Sequence, residues 1–271
     1  MTVAVHRVPA ANAGPMTLRG TNTYVIASAT TAWIVDPGPR DRAHAQAVVD
    51  QVVATGVRAV GGIIATHHHS DHTDGIGVIR RALSTATGHT VPLWAADPGL
   101  VPGAATPPSE LAAGGERAAE IIHTPGHTGD GLSILVEGGR LLTGDLLLGD
   151  GSSTVIMPDG SLADLLQSLE VLRVMALDGS IASLHPGHGN EIDGPHAVHE
   201  AIEHQLAHRR RRIDEVRALR ERGTLQITKI VDTVYGQQLA AAPAADRDAL
   251  RQAATYTVRA TLAYLTEQER V

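Results

Sequence analysis

Four histidines and two aspartates crowd into the short stretch ATHHHSDHTDG. Because His67 and His69 alternate by two positions, an extended segment directs both side chains to the same side and His68 to the other. Asp71 and His72 follow where the apolar spacing predicts the start of a helix. Neutral imidazole and carboxylate are groups that zinc binds. The stretch therefore predicts four metal ligands, with His68 left out, rather than a polar turn that is rich in histidine by chance.

Further candidate ligands lie downstream of this stretch. Two zinc ions need about seven protein ligands and a bridging water, so three ligands must come from elsewhere. The stretches IIHTPGHTGD, LLTGDLLLGD and ASLHPGHGNE each follow an apolar, strand-like run, and they offer His127, Asp145 and His188. Rigid strand ends hold ligands more accurately than mobile loops do. We therefore expect these three side chains to complete a dinuclear site.

The elements that must position the ligands fall into two runs of strands, each flanked by helices. Apolar patterning predicts strands at 22–28, 31–39, 60–67, 91–96, 118–124, 132–138, 140–145 and 181–189. It predicts helices at 41–56, 74–88 and 162–175. The remaining Pro- and Ala-rich stretches, 101–114 and 240–245, are predicted loops. This order favours two sheets between helical layers over one doubly wound parallel sheet.

The character of the chain changes at Pro195, after which the pattern is mostly helical. We predict a main domain over residues 1–194 and a C-terminal helical subdomain over residues 195–271. The first helix of this tail has an inner apolar stripe made of Val198, Ile202, Leu206, Ile213 and Val216.

Composition narrows the class of protein. The chain has no cysteine, which excludes disulfides, thiolate ligands and a cysteine nucleophile. A net charge of −7 and 2% aromatic residues argue against a protein that coats nucleic acid through bulk charge, although residues 208–222 are basic. Neither a signal peptide nor an apolar run of about 18 residues is present, so we expect a cytoplasmic protein without membrane association. The sequence does not decide the oligomeric state, and a homodimer is one option.

The motif T-H-x-H-x-D-H, followed by HTPGHT, TGD and PGHG, resembles the metallo-β-lactamase superfamily over roughly residues 20–190. The resemblance implies an α/β fold, a four-layer αββα sandwich with a dinuclear metal site at one edge. It also implies two Zn²⁺ per chain, with Mn²⁺ or Fe²⁺ as alternatives, and a metal-bridged hydroxide that Asp71 orients or serves as a proton relay. Carried over residue by residue, it assigns His67, His69 and His127 to the first metal, Asp71, His72 and His188 to the second, and Asp145 to both.

The whole layout is similar to the beta-lactamase-like protein 2 subgroup, through TLRGTNTYVI, GDLLLGDGSSTVI and the tail IEHQLAHRRRRIDEV. This similarity implies a winged-helix-like C-terminal subdomain and, as the first functional expectation, an endoribonuclease acting on single-stranded RNA. The alternative is a hydrolase of thioesters or other small acyl compounds, of the glyoxalase II or carrier-thioesterase kind. A mononuclear iron persulfide dioxygenase and a non-catalytic RNA- or partner-binding module are less favoured. Dedicated zinc β-lactamases place a cysteine on the second metal, and this chain has none.

Each of several other side chains near the motifs has two possible roles. Asp36 in VDPG either orients a metal ligand or forms a turn before Pro-Gly. His123 and His185 either pack in the fold or contact the ligands. On a helical wheel Arg209 lies on the apolar stripe. Its charged end either reaches solvent or, together with His208, lines the mouth of the metal cleft and binds an anionic substrate. The residues predicted to line the same mouth are Ser152, Ser153 and Thr154.

Overall fold

The computed structural model describes residues 2–270 and contains two stacked β-sheets. The strands of the first sheet, in spatial order, are β1 (Ala4–Pro9), β2 (Asn22–Ala27), β3 (Thr31–Val35), β4 (Ala59–Ile64) and β5 (Leu93–Trp94). The second sheet has the order β11-β10-β9-β8-β7-β6, with β6 (Glu110–Ala113), β7 (Glu116–His123), β8 (Leu132–Val136), β9 (Arg140–Gly144), β10 (Ser183–Pro186) and β11 (Ile192–Asp193). Both sheets are mixed, because β3, β4 and β5 run parallel in the first and β9 and β10 run parallel in the second.

Strand β3 shows why the fold has four layers. Its alternate residues Trp33 and Val35 face the second sheet, whereas Ala32 and Ile34 face the helices on the outer side. A strand that is buried on both faces must have a cover on each side. The core between the sheets includes Tyr24, Ile26, Ile64, Ile134 and Leu142. The predicted αββα sandwich is confirmed.

The outer helices of the first sheet are α1 (Arg42–Ala54) and α3 (Ile76–Thr87), and a short helix, α2 (Ser70–Thr73), precedes α3. Helix α1 starts where the Asp41 side chain accepts a hydrogen bond of 2.8 Å from the backbone N–H of His44. Helix α3 ends at Gly88, whose φ of 73° suits a residue without a side chain. The second sheet is covered by α4 (Leu162–Leu177).

Three helices follow in the tail: α5 (Pro195–Glu221), α6 (Ile227–Ala241) and α7 (Arg247–Gln268). The predicted apolar stripe of α5 is buried, and its core is continuous with that of α4 and the second sheet. The expected C-terminal helices are therefore present. Between residues 195 and 270 the tail contains no strand that could serve as a wing.

Two sequence expectations need correction. The stretch 101–114 is not wholly a loop, because β6 lies within it and pairs with β7. Strand β1, which was not predicted, pairs with β2 along its whole length. Both are edge strands and only partly buried, so neither shows the continuous apolar run of the central strands. Over residues 2–270, no helix is both long enough and apolar enough to cross a bilayer.

Candidate metal centre

The predicted ligands converge at one edge of the sandwich because each follows the end of a strand or lies on the short helix α2. His67 and His69 follow β4, and α2 carries Asp71 and His72. The other three ligands come from the second sheet: His127 lies between β7 and β8, Asp145 directly follows β9, and His188 follows β10. Buried Asn22, at the start of β2, joins the two sheets here, because its Nδ2 donates to the carbonyls of Pro186 and Gly189 at 2.9 and 3.0 Å.

Three imidazoles meet in a first cluster. The Nδ1 atom of His69 lies 3.1 Å from Nε2 of His67 and 3.0 Å from Nε2 of His127. All three side chains are buried or half-buried, and their nitrogens lie close enough together to bind one ion. This geometry matches the donor set of a zinc site.

A second cluster lies beside the first. Nε2 of His188 is 3.3 Å from Nε2 of His72 and 3.1 Å from Oδ2 of Asp71. Two nitrogens and one carboxylate oxygen again come within reach of a single ion. The hydroxyl of Thr21 donates to the same Asp71 oxygen at 3.3 Å, which helps to hold the carboxylate in place.

Asp145 lies between the two clusters. Its Oδ2 is 3.3 Å from Nε2 of His188 and 3.7 Å from Nε2 of His127, and its Oδ1 is 3.5 Å from Nε2 of His72. Oδ1 is buried, and within residues 2–270 it has no hydrogen-bond partner. A buried carboxylate oxygen without a donor is costly unless a cation satisfies it. This oxygen is therefore the observation that best fits a bound metal.

Hydrogen bonds on the far side of three rings leave the inward nitrogens free to coordinate. Carbonyl and carboxylate oxygens only accept, so the nitrogen facing each must carry the proton. His72 Nδ1 donates to Asp36 Oδ2 at 2.9 Å, His127 Nδ1 to the Thr154 carbonyl at 2.6 Å, and His188 Nδ1 to the Gly20 carbonyl at 3.2 Å. Each Nε2 then presents a lone pair to the cluster, which is the arrangement that metal-binding histidines show.

The electrostatics are those of a site that attracts cations. Burial opposes ionisation of Asp145, but the charges of His188 and His72 outweigh it and hold the pKa of this carboxyl well below its usual range. Burial likewise opposes protonation of His72 and His188, but the nearby carboxylates raise the pKa of both above the ordinary histidine value. By contrast, burial lowers the pKa of His67. Metal binding at this edge must therefore displace protons.

Asp36 is hydrogen-bonded both to the end of β4 and to a candidate ligand. It is buried at φ 52°, a conformation that Asp tolerates better than most residues. Its Oδ1 accepts from the backbone N–H of Thr66 and its Oδ2 from the Thr66 hydroxyl, both at 2.7 Å, and Oδ2 also accepts from His72. The carboxylate thus ties the end of β4 to a candidate ligand on α2.

The other histidines near the motifs lie outside the two clusters. His185 packs against the Tyr24 ring and hydrogen-bonds Ser183 and Glu191, and His123 is exposed and donates to the Gly129 carbonyl at 3.0 Å. His68 belongs to neither cluster, but its ring lies edge-on to that of His69, with the centroids 5.0 Å apart, and its Nδ1 lies 3.1 Å from a carboxylate oxygen of buried Asp130.

Sequence reasoning missed two carboxylates beside the centre. Asp130 contacts His68, and Asp159 Oδ2 lies 3.6 Å from Nε2 of both His68 and His69. The sequence could have indicated Asp130, because this residue is the last of the stretch IIHTPGHTGD, which also contains His127. Asp159 had no comparable signal, since it belongs to an irregular segment after the predicted mouth residues.

A cavity of about 650 Å³ opens from the centre toward the tail. The candidate ligands His127 and Asp145 line it, together with residues of helices α5, α6 and α7. All the predicted mouth residues line this cavity, namely Ser152, Ser153, Thr154, His208 and Arg209. Arg209 is 4% exposed, so nearly all of its side chain is buried.

The wall and the centre are physically connected through the loop at residues 150–154. Gln205 Nε2 on α5 donates to the Gly151 carbonyl at 2.5 Å, and Arg209 donates to the Ser153 carbonyl. The same loop holds His127, since the Ser153 hydroxyl lies 3.0 Å from His127 Nδ1 and the Thr154 carbonyl accepts from that nitrogen. The tail therefore helps to set the orientation of a candidate ligand.

A sequence profile of the metallo-beta-lactamase superfamily matches residues 16–188, which includes every candidate ligand. The chain belongs to this superfamily. It is 30% identical over 247 residues to a beta-lactamase-like protein 2 homolog of Drosophila melanogaster, covering 87% of this chain and 81% of that protein. It is also 30% identical over 245 residues to the atrochrysone carboxyl ACP thioesterase AgnL7 of Paecilomyces divaricatus, covering 87% and 73%.

A solved structure supports the fold over nearly the full length of the chain. A beta-lactamase domain protein from Burkholderia ambifaria aligns with a TM-score of 0.70 at 21% identity, over 98% of this chain and 86% of that one. The alignment therefore includes the C-terminal helices as well as the sandwich. Family membership and the convergent donor set make the chain a metal-dependent hydrolase, and its substrate is the remaining question.

Proposed function

We propose that this protein hydrolyses a thioester or ester of a small or carrier-bound acyl group, with two Zn²⁺ held by the seven candidate ligands. The observation that carries the proposal is the cavity that leads from His127 and Asp145 to the tail helices. Its aliphatic lining includes Leu147, Leu239 and Ala254, all buried, and suits an acyl group removed from water. The similarity to a carrier-protein thioesterase points to the same substrate class.

When bound, divalent metals at these ligands supply Lewis acidity and a water whose pKa lies near neutrality. The chain's own contribution is placement. Asp36, the Thr154 carbonyl and the Gly20 carbonyl fix three ligand rings, so little reorganisation is needed as the acyl carbon is attacked. Hydrolysis forms a new C–O bond and breaks the bond to sulfur or oxygen. The attacking water loses a proton, the leaving group takes one up, and half-exposed Asp71 is the carboxylate that can pass the proton between them.

Cleavage of single-stranded RNA is the second candidate, supported by the resemblance to the beta-lactamase-like protein 2 subgroup. The arginines of α5 argue against it as the first choice, because carboxylates already neutralise several of them. The ion pairs are Arg210–Glu170 at 2.5 Å, Arg212–Glu215 at 2.7 Å, Arg217–Asp214 at 2.5 Å and Arg220–Glu269 at 3.0 Å. Arginines paired in this way contribute little to a phosphate-binding track.

A substrate panel tests the choice. Zinc-loaded protein is assayed with an acyl N-acetylcysteamine thioester, single-stranded RNA, a lactone and a chromogenic β-lactam. We expect the thioester to have the highest kcat/KM and to lose little activity between about 50 and 200 mM salt, whereas RNA binding weakens steeply over that range. If the protein instead cleaves RNA in a salt-sensitive manner and does not hydrolyse the thioester, the result favours the endoribonuclease.

A further inference from the structure

Arg209 is a buried charge in the middle of an apolar stripe. It lies on α5 between Leu206 and Ile213, both of which are buried in the core shared with α4. Burial lowers the pKa of its guanidinium to about 10, so the side chain still carries a positive charge at neutral pH. Burying such a charge is costly unless an opposite charge or a full set of acceptors lies beside it.

The described chain, residues 2–270, provides no such opposite charge. No carboxylate forms an ion pair with Arg209, whose Nη2 donates to the Ser153 carbonyl and whose Nε has no hydrogen-bond partner. The acidic residues nearest in sequence are already engaged: Glu203 with Arg173, Asp214 with Arg217, and Glu215 with Arg212. The guanidinium therefore lacks an anion.

The cavity is where that anion can enter. Among the described residues that line it, Arg209 is the single lysine or arginine. Most of the remaining lining on the tail side is aliphatic or neutral, including Leu239, Leu250 and Ala253. A single fixed cation in such surroundings matches one monoanionic group, and the planar guanidinium matches a carboxylate.

The position of Arg209 indicates which end of the substrate carries the carboxylate. A carrier or coenzyme leaving group must extend into solvent, whereas Arg209 is 4% exposed and lies on α5, in the part of the cavity lining that the tail supplies. We propose that Arg209 binds a carboxylate at the far end of the acyl group. The preferred substrates are then monothioesters or monoesters of dicarboxylic acids. This inference rests on the proposed function and adds a class of acyl group to it.

Arg209 also has a structural contact, which the test must separate from recognition. Its bond to the Ser153 carbonyl supports the loop that orients His127. If the side chain served only this purpose, its loss would slow every acyl substrate by the same factor. If it binds the substrate carboxylate, its loss must penalise carboxylate-bearing acyl groups more than methyl-terminated ones of equal length.

The experiment crosses two acyl groups with two leaving groups. The acyl groups have equal length and end in a carboxylate or a methyl, and the leaving groups are phosphate-free N-acetylcysteamine and 4′-phosphopantetheine. For the N-acetylcysteamine thioesters, the wild type should prefer the carboxylate, and Arg209→Met should reduce that preference about 10- to 100-fold, the value of one charge-assisted hydrogen bond. Arg209→Lys keeps the positive charge but loses the paired N–H donors of the guanidinium. Its preference for the carboxylate should therefore lie between those of the wild type and Arg209→Met.

The matched control is Arg211→Met on the same helix, because Arg211 is exposed and does not line the cavity. Metal content and the thermal unfolding midpoint show whether each variant is folded and loaded. Calorimetry with the free dicarboxylic acid and the monocarboxylic acid of equal length gives a readout without turnover. The dicarboxylic acid should bind more tightly to the wild type and lose that advantage in Arg209→Met.

Each contrary result has one meaning. An equal loss for both acyl groups would reduce Arg209 to a positioning residue for His127. A loss that follows the pantetheine phosphate, whatever the acyl group, would assign the anion to the leaving group and overturn the proposal. If no thioester is hydrolysed, the proposed function fails, and calorimetry with the two acids still decides whether Arg209 binds a carboxylate.

Discussion

The metal centre and the cavity wall around Arg209 both bury charge, but they do so in opposite ways. At the centre, imidazoles and carboxylates of several elements lie within 3.0–3.7 Å of one another, and no hydrogen-bond donor among the described residues reaches the buried Oδ1 of Asp145. At the wall, the guanidinium of Arg209 lies among apolar side chains, and within residues 2–270 no carboxylate forms an ion pair with it. The first region has a set of metal-binding side chains that a cation would satisfy. The second has a buried guanidinium that an anion would satisfy.

This difference suggests a division of labour. The clustered imidazoles and carboxylates bind metal ions, and the metal ions fix the type of reaction. The isolated guanidinium of Arg209 binds a charged group of the substrate and so selects which substrate reacts. The loop at residues 150–154 joins the two, because α5 holds it from one side and it holds His127 from the other. The two regions should therefore respond differently to substitution.

The largest effect is expected from His69→Ala. The Nδ1 of His69 faces both His67 and His127, so its removal breaks the first cluster. Loss of one metal's Lewis acidity should reduce kcat/KM by about 10³-fold or more for every substrate, irrespective of the acyl group. Steady-state rates and metal analysis of the same sample measure it. The control is His89→Ala, because His89 is exposed. Unchanged rates in His69→Ala would show that the first cluster takes no part in the reaction.

An intermediate effect is expected from Asp36→Asn. Asparagine retains the size of Asp36 and tolerates its positive φ, but it loses the charge that faces His72. Partners of this kind typically contribute about 10- to 100-fold to metal affinity or activity. A competition titration with a zinc chelator measures the change, and Asp50→Asn on α1 is the exposed control. Full affinity in Asp36→Asn would mean that His72 needs no carboxylate to hold its orientation.

The smallest effect concerns the wall. Burial and the neighbouring arginines Arg209, Arg212 and Arg211 lower the pKa of His208 to about 4, so the unfolded chain binds a proton more readily than the folded one. Its contribution to stability is complete above about pH 6.5 and decreases as the pH falls toward 4. Between pH 6.5 and pH 4, the free energy of unfolding of His208→Gln should therefore decrease by about 1 kcal/mol less than that of the wild type. This figure allows for the partial solvent access of His208. Denaturant unfolding at several pH values measures this, and parallel curves would contradict it.

Some of the molecule could be predicted from the sequence, for a physical reason. Central strands are buried on both faces, so β3 and β4 appear as apolar runs, and the ligands that follow β4, β9 and β10 share short stretches with them. Edge strands lack this signal. Strand β1 contains His6 and Arg7, and β6 is short and rich in alanine, so both depend on a partner strand that sequence patterning does not identify.

The state of Arg209 could not be predicted in the same way. Its place on the apolar stripe was visible from helical spacing, but acidic residues lie close by in the sequence. That each of these pairs with another arginine depends on side-chain directions and on the packing of α4 against α5. Likewise, Asp159 approaches His69 only because the chain after the loop at residues 150–154 folds back over the centre.

The central claim is that the clustered ligands form a dinuclear metal centre that hydrolyses acyl thioesters, and a metal titration tests it most directly. Protein stripped with a chelator receives increasing Zn²⁺ while hydrolysis of the N-acetylcysteamine thioester is followed. The account predicts no activity without metal, a rise with added Zn²⁺ and a plateau at two equivalents per chain. Full activity in the stripped protein, or an intact thioester when both equivalents are bound, would contradict it.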